Sequence, residues 1–453
     1  MSHRVVSIDL GASGTKVFLS QIKDGKIQIE ELDRFESFAY TKGQLSFWDI
    51  DKMLARIMKT VDQVRKSLAI TSIGFDGWGV DFVPLDENEK KLSDPMQYFA
   101  MFSASKHIQE EIARNKAFIY NTVATQYQPF NTVYQLIYLK KQSPELFSRI
   151  NKIVSLPSYL AGKLAGRFVY EFTHASTTQI YDYLNHQWSP DIIDRLGFGT
   201  IFPEVVDAGT VIGDYEGVQV ILPATHDTAS AYAAITSDPE TTLNISLGTW
   251  CLNGIILHDN EIPAEAIKTN NYAVEGCYNG SLRILANTPG LLLWEKAKAE
   301  VQKILGKACS YQELEQMALS HDDDSLAMNV DDDKYFTTDQ LMKEIAGEIA
   351  SDSLGGGLAY ILNGIAKRIK RTKDDMERIF NRRLTQVHII GGGVKNKLLC
   401  QKIAESTNLP VKTNPREGTA LGNTIVQLLG NALINSEIEM KHLIDNSIDY
   451  HHY

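Results

Sequence analysis

The pattern that most constrains the fold occurs twice. Near the start, Arg4-Val5-Val6-Ser7-Ile8-Asp9 reads as a strand, a glycine-rich turn follows, and a second strand covers residues 16–20. About 235 residues later the layout returns: Thr242-Leu243-Asn244-Ile245-Ser246 is a strand, Leu247-Gly248-Thr249 turns the chain, and residues 251–257 run back. A repeat on this scale predicts two related α/β domains, and 453 residues exceed what one core usually supports. The expected division is 1–237 and 238–453, because Thr236-Ser237-Asp238-Pro239 ends the helix expected over residues 227–235.

Between the repeats, Asp24-Gly25 predicts a hairpin turn into a third strand at 26–32. Met53, Leu54, Ile57, Met58, Val61 and Val64 recur at helical spacing, and a strand follows at 72–76. Helices are expected at 134–139 and 158–165, and Gln386-Val387-His388-Ile389-Ile390 is an apolar strand running into Gly391-Gly392-Gly393. The acidic runs 322–324 and 331–333 lack EF-hand spacing and read as solvated loops.

A net charge of −11 argues against a nucleic-acid partner, which needs a basic footprint. No run of eighteen apolar residues predicts a membrane span. Cys251, Cys277, Cys309 and Cys400 form no CxxC pair, and Met1-Ser2-His3-Arg4 leads straight into a strand. Reduced thiols and a cytoplasmic location are the expectation.

Three short segments could carry chemistry. Asp227 follows the apolar run 218–222, where a strand-end carboxylate could take a proton from a sugar hydroxyl. It suits a helix N-cap equally well. Gly11, Gly14 and the hydroxyls of Ser13 and Thr15, with Lys16, could grip phosphate, or form an ordinary hairpin turn. The spacing is not that of a Walker A loop, and no GxGxxG stands between a strand and a helix, which argues against a dinucleotide oxidoreductase. Gly248-Thr249 offers a second grip with the same structural alternative, and Gly391-Gly392-Gly393 would either admit a flat ligand such as adenosine or form a plain strand-to-helix turn. Asp9 could hold Mg²⁺ through water. Trp78, beside Gly77 and Gly79, is either a core residue or a contact for an apolar part of a substrate.

Taken together these residues resemble the FGGY family of carbohydrate kinases, nearly end to end. Residues 74–82 (Gly-Phe-Asp-Gly-Trp-Gly-Val-Asp-Phe), 130–136, 175–179, 226–231 and 391–396 resemble its rhamnulokinase branch, with the L-fuculokinase branch next. The resemblance implies two actin-like (ribonuclease H-like) domains facing a central cleft. It implies sugar and the catalytic base in the N-terminal domain, nucleotide in the C-terminal one, and ATP with Mg²⁺ as cofactors. It also implies Asp227 as base, and His226, Thr228, Gly79 and Asn287 near the sugar. Ser13, Gly14, Thr15, Lys16, Thr249 and Gly392 fall on nucleotide positions.

Three departures stand out. The first turn is one residue shorter than the branch's Gly-Ala-Ser-Ser-Gly-Arg and ends in Lys16. Tyr98 is followed by Phe99-Ala100 where Arg-Asp is usual, and the segment after Asn270 lacks Asn-Glu-Gly-Gly. The expected activity is ATP-dependent phosphorylation of a 6-deoxy ketohexose at O1, L-rhamnulose or L-fuculose. The alternatives are a kinase for another ketose such as xylulose, and a catalytically silent ATP-binding protein of actin-like fold.

Overall fold

The structure is a computed structural model, and it describes residues 3–11, 14–43, 45–98, 101, 106–258, 262–321, 323–332, 334–414 and 417–453. The chain forms two compact units: Met1–Thr236 with His258–Arg283 and Gly418–Ser447, and Ser237–Leu257 with Ile284–Glu417 and Ile448–Tyr453.

The first unit is built on a six-stranded sheet. Its order is Thr210–Tyr215, Val218–Leu222, Ser72–Gly77, Arg4–Gly11, Gly14–Lys23 and Lys26–Phe35. The three strands Val218–Leu222, Ser72–Gly77 and Arg4–Gly11 are mutually parallel, and the pairs on either side are antiparallel. The Arg4–Gly11 strand is buried along nearly its whole length, as a central strand covered on both faces must be. The Lys26–Phe35 strand lies at the edge and exposes much of itself. Asp24 and Gly25 both take positive φ, 53° and 68°, which is the backbone a two-residue hairpin turn requires. This strand order is the ribonuclease H-like arrangement of the actin-like fold.

The second unit repeats the plan. Thr242–Leu247 pairs antiparallel with Trp250–Leu257 and parallel with Gln386–Ile390, which pairs parallel with Val411–Thr413. The long helix Leu354–Phe380 and the helix Lys397–Thr407 pack together beside this sheet. All four cysteines are free and buried. Among the described residues no helix is long and apolar enough to cross a membrane.

The units are not the contiguous halves 1–237 and 238–453. The first break, between Thr236 and Ser237, lies beside the Pro239 turn, but two later segments return to the first unit. Helix Gly418–Gly430 explains one return. Its Gln427 Nε2 donates to Val6 O at 3.0 Å, its Thr424 hydroxyl meets Ser7 Oγ at 3.0 Å, and its Asn423 Nδ2 donates to Asp76 at 2.5 Å. These polar groups are buried, so each needs its partner on the sheet. The helix also meets helix Asp227–Ala233 backbone to backbone: a Cβ on Gly422 would sit 1.6 Å from Ser230 O.

Gly422→Ala therefore forces the two helices apart. Overpacking of this kind costs about 1–3 kcal/mol or more. The denaturant midpoint of the first unit should fall accordingly, and an unchanged midpoint would show that the contact is slack.

Candidate functional site

The sequence candidates Asp9, Gly79, His226, Asp227 and Thr228 all lie in the first unit, at the ends of neighbouring strands. After the Val218–Leu222 strand the chain reaches Thr225, whose carbonyl accepts Gly77 N–H at 3.0 Å, and His226 bridges Gly77 in parallel register. Helix Asp227–Ala233 begins immediately, with His226 as its N-cap residue. Asp227 is thus the first helical residue and not the cap.

A buried carboxylate holds this junction in place. Glu171 is fully buried and receives four hydrogen bonds, from Thr173 N (2.9 Å), Thr173 Oγ1 (2.6 Å), Thr225 N (2.9 Å) and Thr225 Oγ1 (2.9 Å). Thr173 Oγ1 in turn accepts His226 N–H at 3.3 Å. Burial raises the Glu171 pKa and the donated bonds oppose the rise.

The two carboxyl oxygens of Asp227 differ. Oδ1 accepts Thr228 N–H at 2.5 Å and Thr228 Oγ1–H at 3.2 Å, and His226 Nε2 lies 3.5 Å from it. No described donor reaches Oδ2. The side chain keeps 33% of its surface open, yet crowding by protein atoms and then the charge of Asp9 push its pKa up to about 6. Asp9 is the register neighbour of Asp76 on one side and of Lys16 on the other, with Lys16 Nζ 3.3 Å from its Oδ2. Asp76 is fully buried, its Oδ2 held by Asn423 and its Oδ1 without a partner among the described residues. Burial first, and then Asp9, raise the Asp76 pKa well above the usual carboxylate range.

Gly79 faces the His226 ring: a Cβ there would lie 3.4 Å from both His226 Nε2 and Thr177 Oγ1. Trp78 is buried, 4.6 Å from the Trp48 ring, and the two indole N–H groups donate to the same Asp81 oxygen at 2.9 and 2.8 Å. Burial pushes Asp81 up to about 7 against these bonds. Thr15 is buried with its hydroxyl 3.2 Å from Ser37 Oγ, and Gly14 opens the second strand. Ser13 lies outside the described residues, as do Phe99 and Ala100.

Asn287, Thr249 and Gly392 belong to the second unit. Thr249 follows Leu247 by two positions, and the glycine triplet packs on Leu247. Gly391 and Gly393 pack on it so closely that a Cβ would sit 2.7 Å from Leu247 O and 2.3 Å from Leu247 Cγ. Gly392 has nothing within 4 Å of its Cβ position, so its face is open. Asn287 is half-buried in the Leu282–Pro289 strand. Among the described residues, no group of three or more His, Cys, Asp or Glu side chains is placed to hold a metal ion by itself.

Sequence reasoning assigned no role to Asp76 and Asp81, although both lie in the 74–82 segment, and missed Glu171, Glu275, Arg283 and Asn423. A signal existed for two of them: Arg283 interrupts the apolar run Leu282 to Leu285, and Glu171 interrupts the run from Phe168 to Phe172. A charge inside such a run must be paired once buried.

The profile of the FGGY family of carbohydrate kinases matches this chain over residues 4–219 for its N-terminal domain and 243–430 for its C-terminal domain. A rhamnulokinase of Oceanobacillus iheyensis is 31% identical, over 99% of this chain and 97% of the relative. A rhamnulokinase of Bacillus subtilis is 30% identical, over 97% and 93%. Among solved structures, a ligand-bound xylulose kinase from Lactobacillus acidophilus shares the fold with a TM-score of 0.79 at 16% identity, over 100% of this chain and 93% of that one. Plasmodium falciparum glycerol kinase with ADP gives 0.77 at 15% identity, over 99% and 94%.

Folding leaves Asp227 protonated to higher pH than in the unfolded chain, from an ordinary value of 3.8 to about 6. Its contribution to stability is therefore present below about pH 4 and lost as pH rises through 6. Asp9→Asn removes one cause, so Asp227 should titrate lower, toward the ordinary range. A carboxyl ¹³C titration of both proteins checks this, and an unmoved Asp227 would show that the charge of Asp9 does not reach it.

Proposed function

From the premise that this chain belongs to the FGGY family of carbohydrate kinases, and so transfers phosphate to a sugar, we propose that its acceptor is a 6-deoxy-L-ketohexose. O1 of L-rhamnulose or L-fuculose attacks the γ-phosphorus of ATP, the bond to the β-bridging oxygen breaks, and ketose 1-phosphate and ADP leave. The observation that carries the reading is the asymmetry of Asp227, one oxygen held by Thr228 and the other reached by no donor among the described residues. Oδ2 takes the O1 proton. A value of about 6 leaves the group ionised near neutral pH and makes it a stronger base than an ordinary aspartate. The near-full-length relatives named rhamnulokinase support the choice of sugar.

His226, Thr228, Gly79 and Asn287 contact the sugar, and Trp78 faces its methyl group. Ser13, Gly14, Thr15 and Lys16 grip phosphate from the first unit. Thr249 and Gly392 hold nucleotide in the second, where the open face of Gly392 admits close approach. Asp9 would hold Mg²⁺ through water. The donor set fits this ion: Mg²⁺ takes one or two carboxylates, keeps several waters, and draws its remaining ligands from the nucleotide's phosphates. Asp9 also raises the pKa of both Asp76 and Asp227, so this end of the sheet carries negative charge that a divalent cation would offset. When bound, the ion would neutralise charge on the transferring phosphoryl group.

Asp227→Asn should fold and bind nucleotide while losing roughly 10²–10⁴-fold in kcat. A variant keeping more than about a tenth of wild-type turnover would return Asp227 to a structural role. Among ketoses screened by ADP release, 6-deoxy sugars should exceed their 6-hydroxy counterparts by roughly 10–200-fold in kcat/KM. Equal values for the two would overturn the choice of sugar.

A further inference from the structure

We propose that Arg283, anchored by Glu275, is a positioning residue that fixes His226 as its Nε2–H tautomer, with that N–H facing Asp227. Arg283 is fully buried, and so is most of Glu275. One nitrogen, Nη2, lies 2.6 Å from Glu275 Oε2 and 2.6 Å from His226 Nδ1. A guanidinium carries donors only, so Nη2 donates at both contacts and His226 Nδ1 must present its lone pair. A neutral ring then has its one proton on Nε2. The ring is held neutral by burial, by the guanidinium charge beside it, and by His174, whose ring lies 6.1 Å away.

Nε2 is the atom that faces the site. It lies 3.5 Å from Asp227 Oδ1 and beside the open face of Gly79. With Nε2 as donor, all three groups turned toward Oδ1 are hydrogen-bond donors: Thr228 N–H, Thr228 O–H and His226 N–H. The carboxylate is then oriented from one side, and its other oxygen keeps its basicity. The opposite tautomer would set two donors against each other at Nδ1 and turn a lone pair toward a carboxylate oxygen. Both contacts are repulsive. Arg283 meets this need at a cost, because its Nε and Nη1 are buried without partners among the described residues. The stack of the guanidinium on the Tyr232 ring, 5.4 Å from its centroid, holds the group in plane.

The proposal rests on Asp227 as the base, but its test does not require a sugar. Ring ¹⁵N–¹H correlations of histidine-labelled full-length protein at pH 7 report the tautomer, with His226 assigned by its loss in His226→Gln. The expected wild-type signature is a protonated Nε2 and a bare Nδ1. Arg283→Met should abolish that signature and reduce kcat/KM roughly 10–100-fold, the range seen when the partner that orients a functional histidine is lost. Arg283→Lys, which retains a donor, should restore the signature. A proton on Nδ1 in the wild type, or a doubly protonated ring, overturns the proposal, and this spectrum decides even where Arg283→Met fails to fold. An Arg283→Met protein that folds and keeps both the signature and kcat/KM overturns it as well. A failed ketose screen would leave the tautomer result standing.

Discussion

The site depends on one buried carboxylate that does no chemistry. Glu171 has no exposure to solvent, and a charge there is tolerated only because four donors surround it. Those donors come from two threonines 52 residues apart in the chain, Thr173 and Thr225, the latter two positions before Asp227. Satisfying Glu171 therefore sets where the Val218–Leu222 strand stops and where helix Asp227–Ala233 begins. A hydrogen bond to a charged group is worth about 1.5–3 kcal/mol, so loss of either threonine hydroxyl would weaken the junction by that order. The same hydrogen bonds that keep the junction folded thus keep Asp227 in place.

Around that junction negative charges oppose one another. Asp9 and Asp76 are register neighbours, and the charge of Asp9 raises the pKa of both Asp76 and Asp227. Lys16 and Arg283 oppose the effect without cancelling it. A chain optimised only for stability would dilute such a cluster. Raised carboxylate pKa values of this kind concentrate at functional sites. The pairs are also unequal by design of the backbone: the parallel register gives Asp9 an acidic neighbour, and the antiparallel register across the first hairpin gives it Lys16.

Much of this was legible in the amino-acid sequence. The repeated strand–turn–strand pattern, the Asp24-Gly25 hairpin and the Gln386–Ile390 strand all appear where periodicity and turn chemistry put them. These are local signals, set by residues a few positions apart. What escaped was everything set by distant residues. Helix Gly418–Gly430 reads as apolar, and nothing local says that Asn423 and Gln427 will face a sheet formed some 340 residues earlier or more. The compact units are discontinuous for that reason. Arg283 and Glu171 carried a signal, a charge within an apolar run, but only the folded chain supplies their partners.

The segments between the strands acquire a purpose from the backbone they support. Val80 adopts φ of 73°, a conformation that a β-branched residue avoids and that persists only where the surroundings over-determine it. Here they do. Val80 O accepts Thr132 Oγ1–H at 2.7 Å and Gln135 Nε2–H at 3.2 Å, and Asp81 is held by Trp48, Trp78 and Gln135. Asn131 Nδ2 donates to Thr177 O at 3.1 Å, and Gln179 Nε2 donates to Thr125 O at 2.5 Å. Residues 74–82, 130–136, 175–179 and 226–231 are therefore one physical object. The second holds the bend at Val80, the third accepts from Asn131 of the second, and the bend presents Gly79, without a side chain, to the ring of His226. Four of the five separated motifs that carry the family resemblance thus reduce to a single constraint on the shape of one site.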